Sequence, residues 1–95
     1  ERRDARGLRA VRWFRAAAEH GDAGGQLHLA MAYWLGQGVP HDPIEAYLWA
    51  TLSAEQRHEG AIELQKAILK GMPPEQVSRT LRLAKAWKAK IKGLR

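Results

Sequence analysis

The sequence predicts an all-α protein, a right-handed α/α superhelix of about five helices. Apolar residues recur at helical spacing along the chain, and no stretch alternates as a half-buried strand would. The second observation is a 36-residue repeat, in which four residues of one segment return in another: Ala10, Trp13, Ala18 and Glu19 recur as Ala46, Trp49, Ala54 and Glu55. Repetition at this period is typical of stacked helix pairs, each too small to bury its apolar face alone.

The first two helices are predicted from their apolar stripes and their ends. Leu8, Val11 and Phe14 begin a stripe that predicts a helix over residues 4–20. Gly21 supplies the left-handed conformation that commonly ends a helix, and Asp22 can cap the next one, which should reach about residue 35. This second helix is apolar nearly all round, so it should have neighbours on more than one side.

The third helix has the best-defined start in the chain. Asp42 as N-cap, Pro43 at the first helical position and Glu45 at the third form a start that resembles a capping box. This helix should end near Arg57 or His58. A shorter helix over residues 60–69 follows.

A break at residues 71–74 separates the fourth helix from the last one. Pro74 can begin this fifth helix, because the N–H that proline lacks would be unpaired there anyway, and the helix should reach about residue 92.

Composition leaves the cellular compartment open. The chain has 95 residues, a net charge of +6 and no cysteine, which excludes disulfides and cysteine-ligated metals. No apolar stretch approaches the roughly 20 residues that a membrane span requires, and no signal peptide is visible. Because the chain starts without Met, it is interpreted as a piece of a longer protein, from either the bacterial cytoplasm or the periplasm.

The segment AVRWFRAAAEHGDAGGQLHLAMAYWLGQGVPHDPIEAYLWATLSAE resembles the Sel1-like repeat, a relative of the tetratricopeptide repeat. The family pattern falls on these positions: Trp13, Ala17, Ala18, Glu19, Gly21, Ala23, Gly25, Leu29, Ala30, Tyr33, Gly36, Gly38, Val39, Asp42, Ala46 and Trp49. Gly25 stands where the pattern has Ala, and Ala30 where it has Gly. The second copy departs further, with Arg57 in place of Gly and Glu59 in place of Ala.

The resemblance implies one domain built from four parts. These are a half-repeat helix over 4–20, a complete repeat over 22–57, a degenerate repeat helix over 59–71 and a capping helix over 74–92. The tail MPPEQVSRTLRLAKAW is similar to the closing helix that often follows the last such repeat in bacterial proteins. Family members act mainly as adaptors in protein complexes, and the motif carries over no catalytic residue.

Large and small residues of the motif are interpreted as packing positions. Ala10 and Ala46 allow close helix approach, and Trp13 and Trp49 are expected to fill the space beside them. Trp13→Ala is therefore expected to cost about 3–5 kcal/mol and unfold the domain. Trp34→Ala, in contrast, is expected to leave melting nearly unchanged.

The candidate binding site is the surplus apolar face of the second helix, opposite the repeat's packing positions. Its residues are Leu27, His28, Met31, Trp34 and Leu35. A partner peptide or protein could bind there, on the concave surface of the superhelix. The alternative is that a neighbouring helix covers some of these residues as core. Self-association through the first helix is a further expectation for so short an array.

A second candidate surface is a basic stripe on the last helix, formed by Arg82, Lys85, Lys88 and Lys92. It could bind nucleic acid, an anionic membrane or an acidic partner. Nucleic acid is disfavoured because no recognition motif accompanies the charge, and a solvated helix face is the simpler interpretation.

Enzymatic and metal chemistry are not expected. None of the four histidines lies three or four residues from another, so no metal site is expected. Ser53 and Ser78 have no histidine and carboxylate in a recognisable relation to them. The sequence therefore predicts a protein without cofactor, metal or catalytic residues.

Overall fold

A computed structural model describes residues 5–94, which contain five α-helices and no strand. After a π-helical turn at Ala5–Arg9, the helices are α1 (Ala10–Glu19), α2 (Ala23–Leu35), α3 (Pro43–Glu55), α4 (Glu59–Leu69) and α5 (Pro74–Gly93). Helix α1 packs on α2, α2 on α3, and α3 on both α4 and α5. The order of these contacts along the chain gives the α/α stack that the sequence predicts.

Two aspartates begin their helices as predicted. The Asp22 carboxylate accepts a hydrogen bond from Gly25 N at 2.7 Å, and the Asp42 carboxylate accepts from Ile44 N and Glu45 N at 3.1 and 3.2 Å. These bonds satisfy backbone N–H groups that have no partner within the helix.

The reciprocal half of the predicted capping box at α3 is absent. Asp42 N donates instead to Tyr33 O at 3.0 Å, and the Glu45 carboxylate accepts from Trp49 Nε1 at 3.2 Å. Because the Tyr33 carbonyl of α2 already accepts from the Asp42 N–H, Glu45 can serve the indole instead. The cap thereby ties the start of α3 to the end of α2.

Helices α1 and α2 approach closely at Gly25. A Cβ placed on Gly25 would lie 2.6 Å from Ala17 Cβ and 3.0 Å from Ala18 N. Next to this contact, the Nε2 of the buried Gln26 donates to Ala18 O at 3.2 Å. Glycine at this position therefore permits a helix contact that any larger residue would push apart.

Helix α3 forms the centre of the core. Every residue from Ala46 to Ser53 is buried. Ser53 Oγ donates to Ala23 O of α2 at 2.8 Å, and the Trp49 ring lies 5.0 Å from the Trp87 ring of α5. Ser53 lies 36 residues after Ala17 and so stands where the first copy of the repeat has alanine. It is buried as a packing residue and also makes a hydrogen bond to α2.

The expectation that Trp13 fills the core is wrong. Its side chain is 77% exposed, whereas Trp49, at the equivalent repeat position, is fully buried. The reason is the number of neighbours: α3 lies among α2, α4 and α5, while α1 packs mainly against α2 within residues 5–94. The predicted unfolding by Trp13→Ala therefore does not follow from this structure.

Candidate partner-binding groove

A groove of about 270 Å³ lies between α1 and α2. From the α1 side it is lined by Gly7, Ala10 and Phe14, among others, and from α2 by His28, Met31 and Leu35. Met31 is 39% exposed and Leu35 56% exposed. The wall that α2 contributes is thus an accessible apolar surface, although both residues are of types that proteins usually bury.

An aromatic contact joins the two walls of the groove. The rings of Phe14 and His28 stack with centroids 4.8 Å apart and planes at 22°. Nδ1 of His28 also lies 2.8 Å from Gly24 O, so the imidazole is held both by its ring face and by one nitrogen. A ring held in this way loses little conformational entropy when a ligand packs against it.

The structure brings three of the five predicted contact residues into the groove, namely His28, Met31 and Leu35. Leu27 is half-buried toward α4, where a Cβ placed on Gly60 would lie 3.1 Å from its Cδ2. Leu27 therefore serves the contact between α2 and α4.

Trp34 also lies away from the groove. It is half-buried, packs against the core and has its ring 5.6 Å from that of His41. His41 Nδ1 lies 2.8 Å from Trp34 O, which joins the loop after α2 to the end of the helix. The expectation that Trp34→Ala leaves melting unchanged is wrong for this packing, because truncation would remove core contacts.

Sequence reasoning missed the α1 half of the groove. Phe14 belongs to the apolar stripe that predicts the first helix, and Ala10 is predicted to allow close helix approach, so the sequence predicts that both face neighbouring helices. The signal was the width of that stripe, which exceeds what a single neighbouring helix covers. The stripe therefore leaves part of α1 to form a wall of the groove.

The basic stripe of α5 is exposed but is partly engaged with the rest of the chain. Arg82 and Lys85 point to solvent, whereas Lys88 Nζ lies 2.9 Å from Glu55 Oε1 of α3. Lys88 and Lys92 line a separate cleft of about 340 Å³ beside the end of α3. Phosphate or acidic-partner binding by this stripe stays a prediction.

Within the described part of the chain, no group of three or more His, Asp or Glu side chains could hold a metal ion. None of the helices in residues 5–94 combines the length and apolarity needed to cross a bilayer.

A stack of short helices in which residues recur after 36 positions defines a helical repeat protein. The Sel1 repeat model matches residues 6–22 and 23–58, more than half of the chain, and the protein belongs to the Sel1 repeat family. Such repeats are typically protein-interaction scaffolds and are generally non-catalytic.

One solved structure with this fold is a protective antigen present in uropathogenic Escherichia coli strains, described as displaying an SLR fold. It is 27% identical in sequence with a TM-score of 0.79, and the match covers 85% of this chain and 18% of that one. The chain thus spans less than a fifth of the length of that relative. No curated protein matches the chain.

Proposed function

We propose that this chain is a non-catalytic interaction module that binds a segment of a partner protein in the groove between α1 and α2. The observation that carries the proposal is the pair of exposed apolar side chains, Met31 and Leu35, beside the stacked rings of Phe14 and His28. Exposed apolar patches next to a concave surface are typical of binding sites. Met, which is flexible and polarisable, is common on surfaces that accept peptides.

The groove has room for one or two side chains of a partner. Its volume of about 270 Å³ lies just below the usual range of small-molecule pockets, and His28 and Gln37 are the two lining residues with polar side chains for orienting a free ligand. An anchor side chain of a peptide needs no such orientation, because the rest of the peptide supplies it. The proposal is therefore a protein or peptide partner.

Site-specific photocrosslinking tests this function in the native cell. A photoreactive amino acid at position 31 of the complete protein should yield a discrete adduct, which mass spectrometry identifies. The same amino acid at Ala86, an exposed position on α5, serves as the control. Adducts that are the same from both positions would contradict a site at the groove.

The identified partner then allows a matched comparison of two leucines. Leu35→Gln should weaken binding at least tenfold, because it places an amide where an apolar anchor packs. Leu81→Gln on α5 alters a leucine of similar exposure, 46%, outside the groove, and should change affinity less than threefold. Equal losses from the two variants would mean that the partner does not use the groove.

A further inference from the structure

We propose that a cleft between α3 and α5 binds the C-terminal residue of a partner polypeptide, with its carboxylate on Lys92 and its apolar side chain on Leu52 and Ile91. The cleft has a volume of about 340 Å³, which lies within the usual range of ligand sites. It is lined by the turn at Gly21, the start of α2, the end of α3 and the end of α5. No residue lines both this cleft and the groove between α1 and α2, so the inference goes beyond the proposed function.

Two glutamine side chains in the cleft lining have fixed orientations. Gln26, which is 1% exposed, donates from Nε2 to Ala18 O at 3.2 Å. Its Oε1 accepts from Gln56 Nε2 at 3.0 Å, and the same nitrogen of Gln56 donates to Gly21 O at 2.9 Å. Because a backbone carbonyl can only accept, these bonds determine which end of each amide carries the nitrogen.

This arrangement leaves an acceptor at the cleft. Both N–H groups of Gln56 Nε2 are used inside the protein, and the side chain is otherwise exposed. Within residues 5–94, Gln56 Oε1 has no hydrogen-bond partner. The cleft therefore offers an oriented carbonyl oxygen to an N–H group of a ligand.

Helix α5 contributes two lysines to the lining, and they differ in their pairing. Lys88 Nζ lies 2.9 Å from Glu55 Oε1 of α3. Lys92, one turn further along α5, is exposed and has no ion-pair partner within residues 5–94. A carboxylate of a ligand can therefore bind Lys92 in a charge-assisted hydrogen bond without breaking an internal ion pair. Lys88 can contact the same carboxylate while it remains on Glu55, because an ammonium group has three donors.

The apolar part of the lining comes from Leu52 of α3 and Ile91 of α5, which are 3% and 7% exposed. An apolar side chain of a ligand that packs over them is removed from water, which favours binding. An acceptor, an apolar surface and a free cation in one cleft match the amide N–H, the side chain and the carboxylate of a C-terminal residue. Capture of a C-terminal carboxylate is an established mode of peptide recognition.

Phosphate groups and nucleic acid fit the cleft less well. Glu55 also lines it, and its carboxylate would repel a doubly charged phosphate more strongly than a singly charged carboxylate. A nucleic-acid backbone needs cations along its path, whereas Leu52 and Ile91 give this cleft an apolar surface. The lining therefore favours a single carboxylate next to an apolar group.

An NMR titration of the isotope-labelled 95-residue chain tests the inference with two probes, N-acetyl-leucine and a pentapeptide that ends in leucine. Both should shift signals of Gly21, Lys92 and the side-chain amide of Gln56. The peptide should bind at least threefold more tightly, because its preceding residues add contacts. The same peptide with a C-terminal amide should bind at least tenfold more weakly, since it lacks the charge that Lys92 recognises.

Two charge-reversal variants locate the carboxylate. Lys92→Glu should weaken binding of the peptide acid at least tenfold, because it puts a like charge beside the carboxylate. Arg82→Glu makes the same change in net charge at an exposed position of α5 outside the cleft, and should change the affinity less than threefold. Circular dichroism of both variants establishes that they are folded.

The outcomes separate this inference from the proposed function. Equal affinities of the acid and the amide, equal losses in the two variants, or no saturation up to about 1 mM peptide would overturn the C-terminal site. Equal affinities of N-acetyl-leucine and the peptide would overturn the polypeptide and assign the cleft to a free N-acyl amino acid. Shifts confined to Met31 and Leu35 would place the peptide in the groove between α1 and α2, which overturns the cleft and supports the proposed function.

Discussion

Residues at equivalent repeat positions have different environments in this chain. Trp13 and Trp49 are 36 residues apart, yet one is exposed and the other buried, because only α3 has helices on several sides. Gly21 and Arg57 form a second such pair, at the ends of α1 and α3, and both adopt a positive φ, 94° and 65°. The repeat therefore conserves the backbone at these positions more closely than the surroundings of the side chain.

Trp49→Ala should destabilise the domain far more than Trp13→Ala. Trp49 is fully buried against Trp87, so its truncation leaves a cavity and should cost about 3–5 kcal/mol. Trp13→Ala removes an exposed indole and should change the unfolding free energy by less than about 0.5 kcal/mol. Urea unfolding followed by circular dichroism measures both. Similar midpoints for the two variants would contradict the burial of Trp49.

Arg57→Gly should stabilise the protein by roughly 0.5–1 kcal/mol. The residue ends α3 in the left-handed region, which a side chain with a Cβ occupies at a cost of about 1–2 kcal/mol, and glycine at Gly21 avoids that cost. Part of the gain is offset because glycine makes the unfolded chain more flexible. Thermal melting should show a higher midpoint for Arg57→Gly than for the wild type. Arg57→Ala, which keeps the Cβ, should show no such increase.

At the scale of helices, the residue at which a helix begins could be predicted from the sequence more reliably than the helices that pack against it. Asp22 and Asp42 mark the starts of α2 and α3 because capping depends on residues within one turn, and the structure confirms both. Helix α3 ends at Glu55, two residues before the expected Arg57 or three before His58, because Arg57 adopts a positive φ that a helix cannot continue through.

The candidate site shows the limit of the sequence more clearly. Leu27, Met31 and Trp34 share one side of α2, and only the position of α4 decides that Leu27 becomes half-buried while Met31 remains exposed. The α1 wall depends likewise on how α1 sits against Gly25. Spacing along one helix fixes which residues share a face, but the covering of that face is set by contacts between helices.

Gly25→Ala should destabilise the contact between α1 and α2, although alanine favours helix formation by up to about 1 kcal/mol. The added Cβ would lie 2.6 Å from Ala17 Cβ and 3.0 Å from Ala18 N, so the two helices must separate, at a cost of about 1–3 kcal/mol. Gly93→Ala in α5, where nothing lies within 4 Å, should be neutral or slightly stabilising. Stabilisation of both variants would mean that the helices are packed less tightly than described.

At the scale of the whole molecule, the stack has a centre and two margins. Helix α3 contacts α2, α4 and α5, whereas α1 contacts mainly α2 and carries one side of the groove. Unfolding free energy is unevenly distributed in such a stack, since each helix is stabilised mainly by its neighbours. The proposed binding site therefore lies at a margin of the stack, where a partner can add contacts that the chain lacks.

This arrangement predicts a gradient of amide hydrogen exchange. Amides of α3 should exchange slowest, at rates close to those for global unfolding, because opening α3 exposes the core on every side. Amides of α1 should exchange faster, through local detachment that leaves α2 to α5 packed.

A bound partner should selectively slow amide exchange in α1 and α2, because the groove joins these two helices and binding opposes their separation. Hydrogen exchange measured by NMR with and without the partner reports each helix separately. Equal protection of α1 and α3 in the free protein would contradict this gradient, and partner-induced protection confined to α5 would place the interface on its basic face.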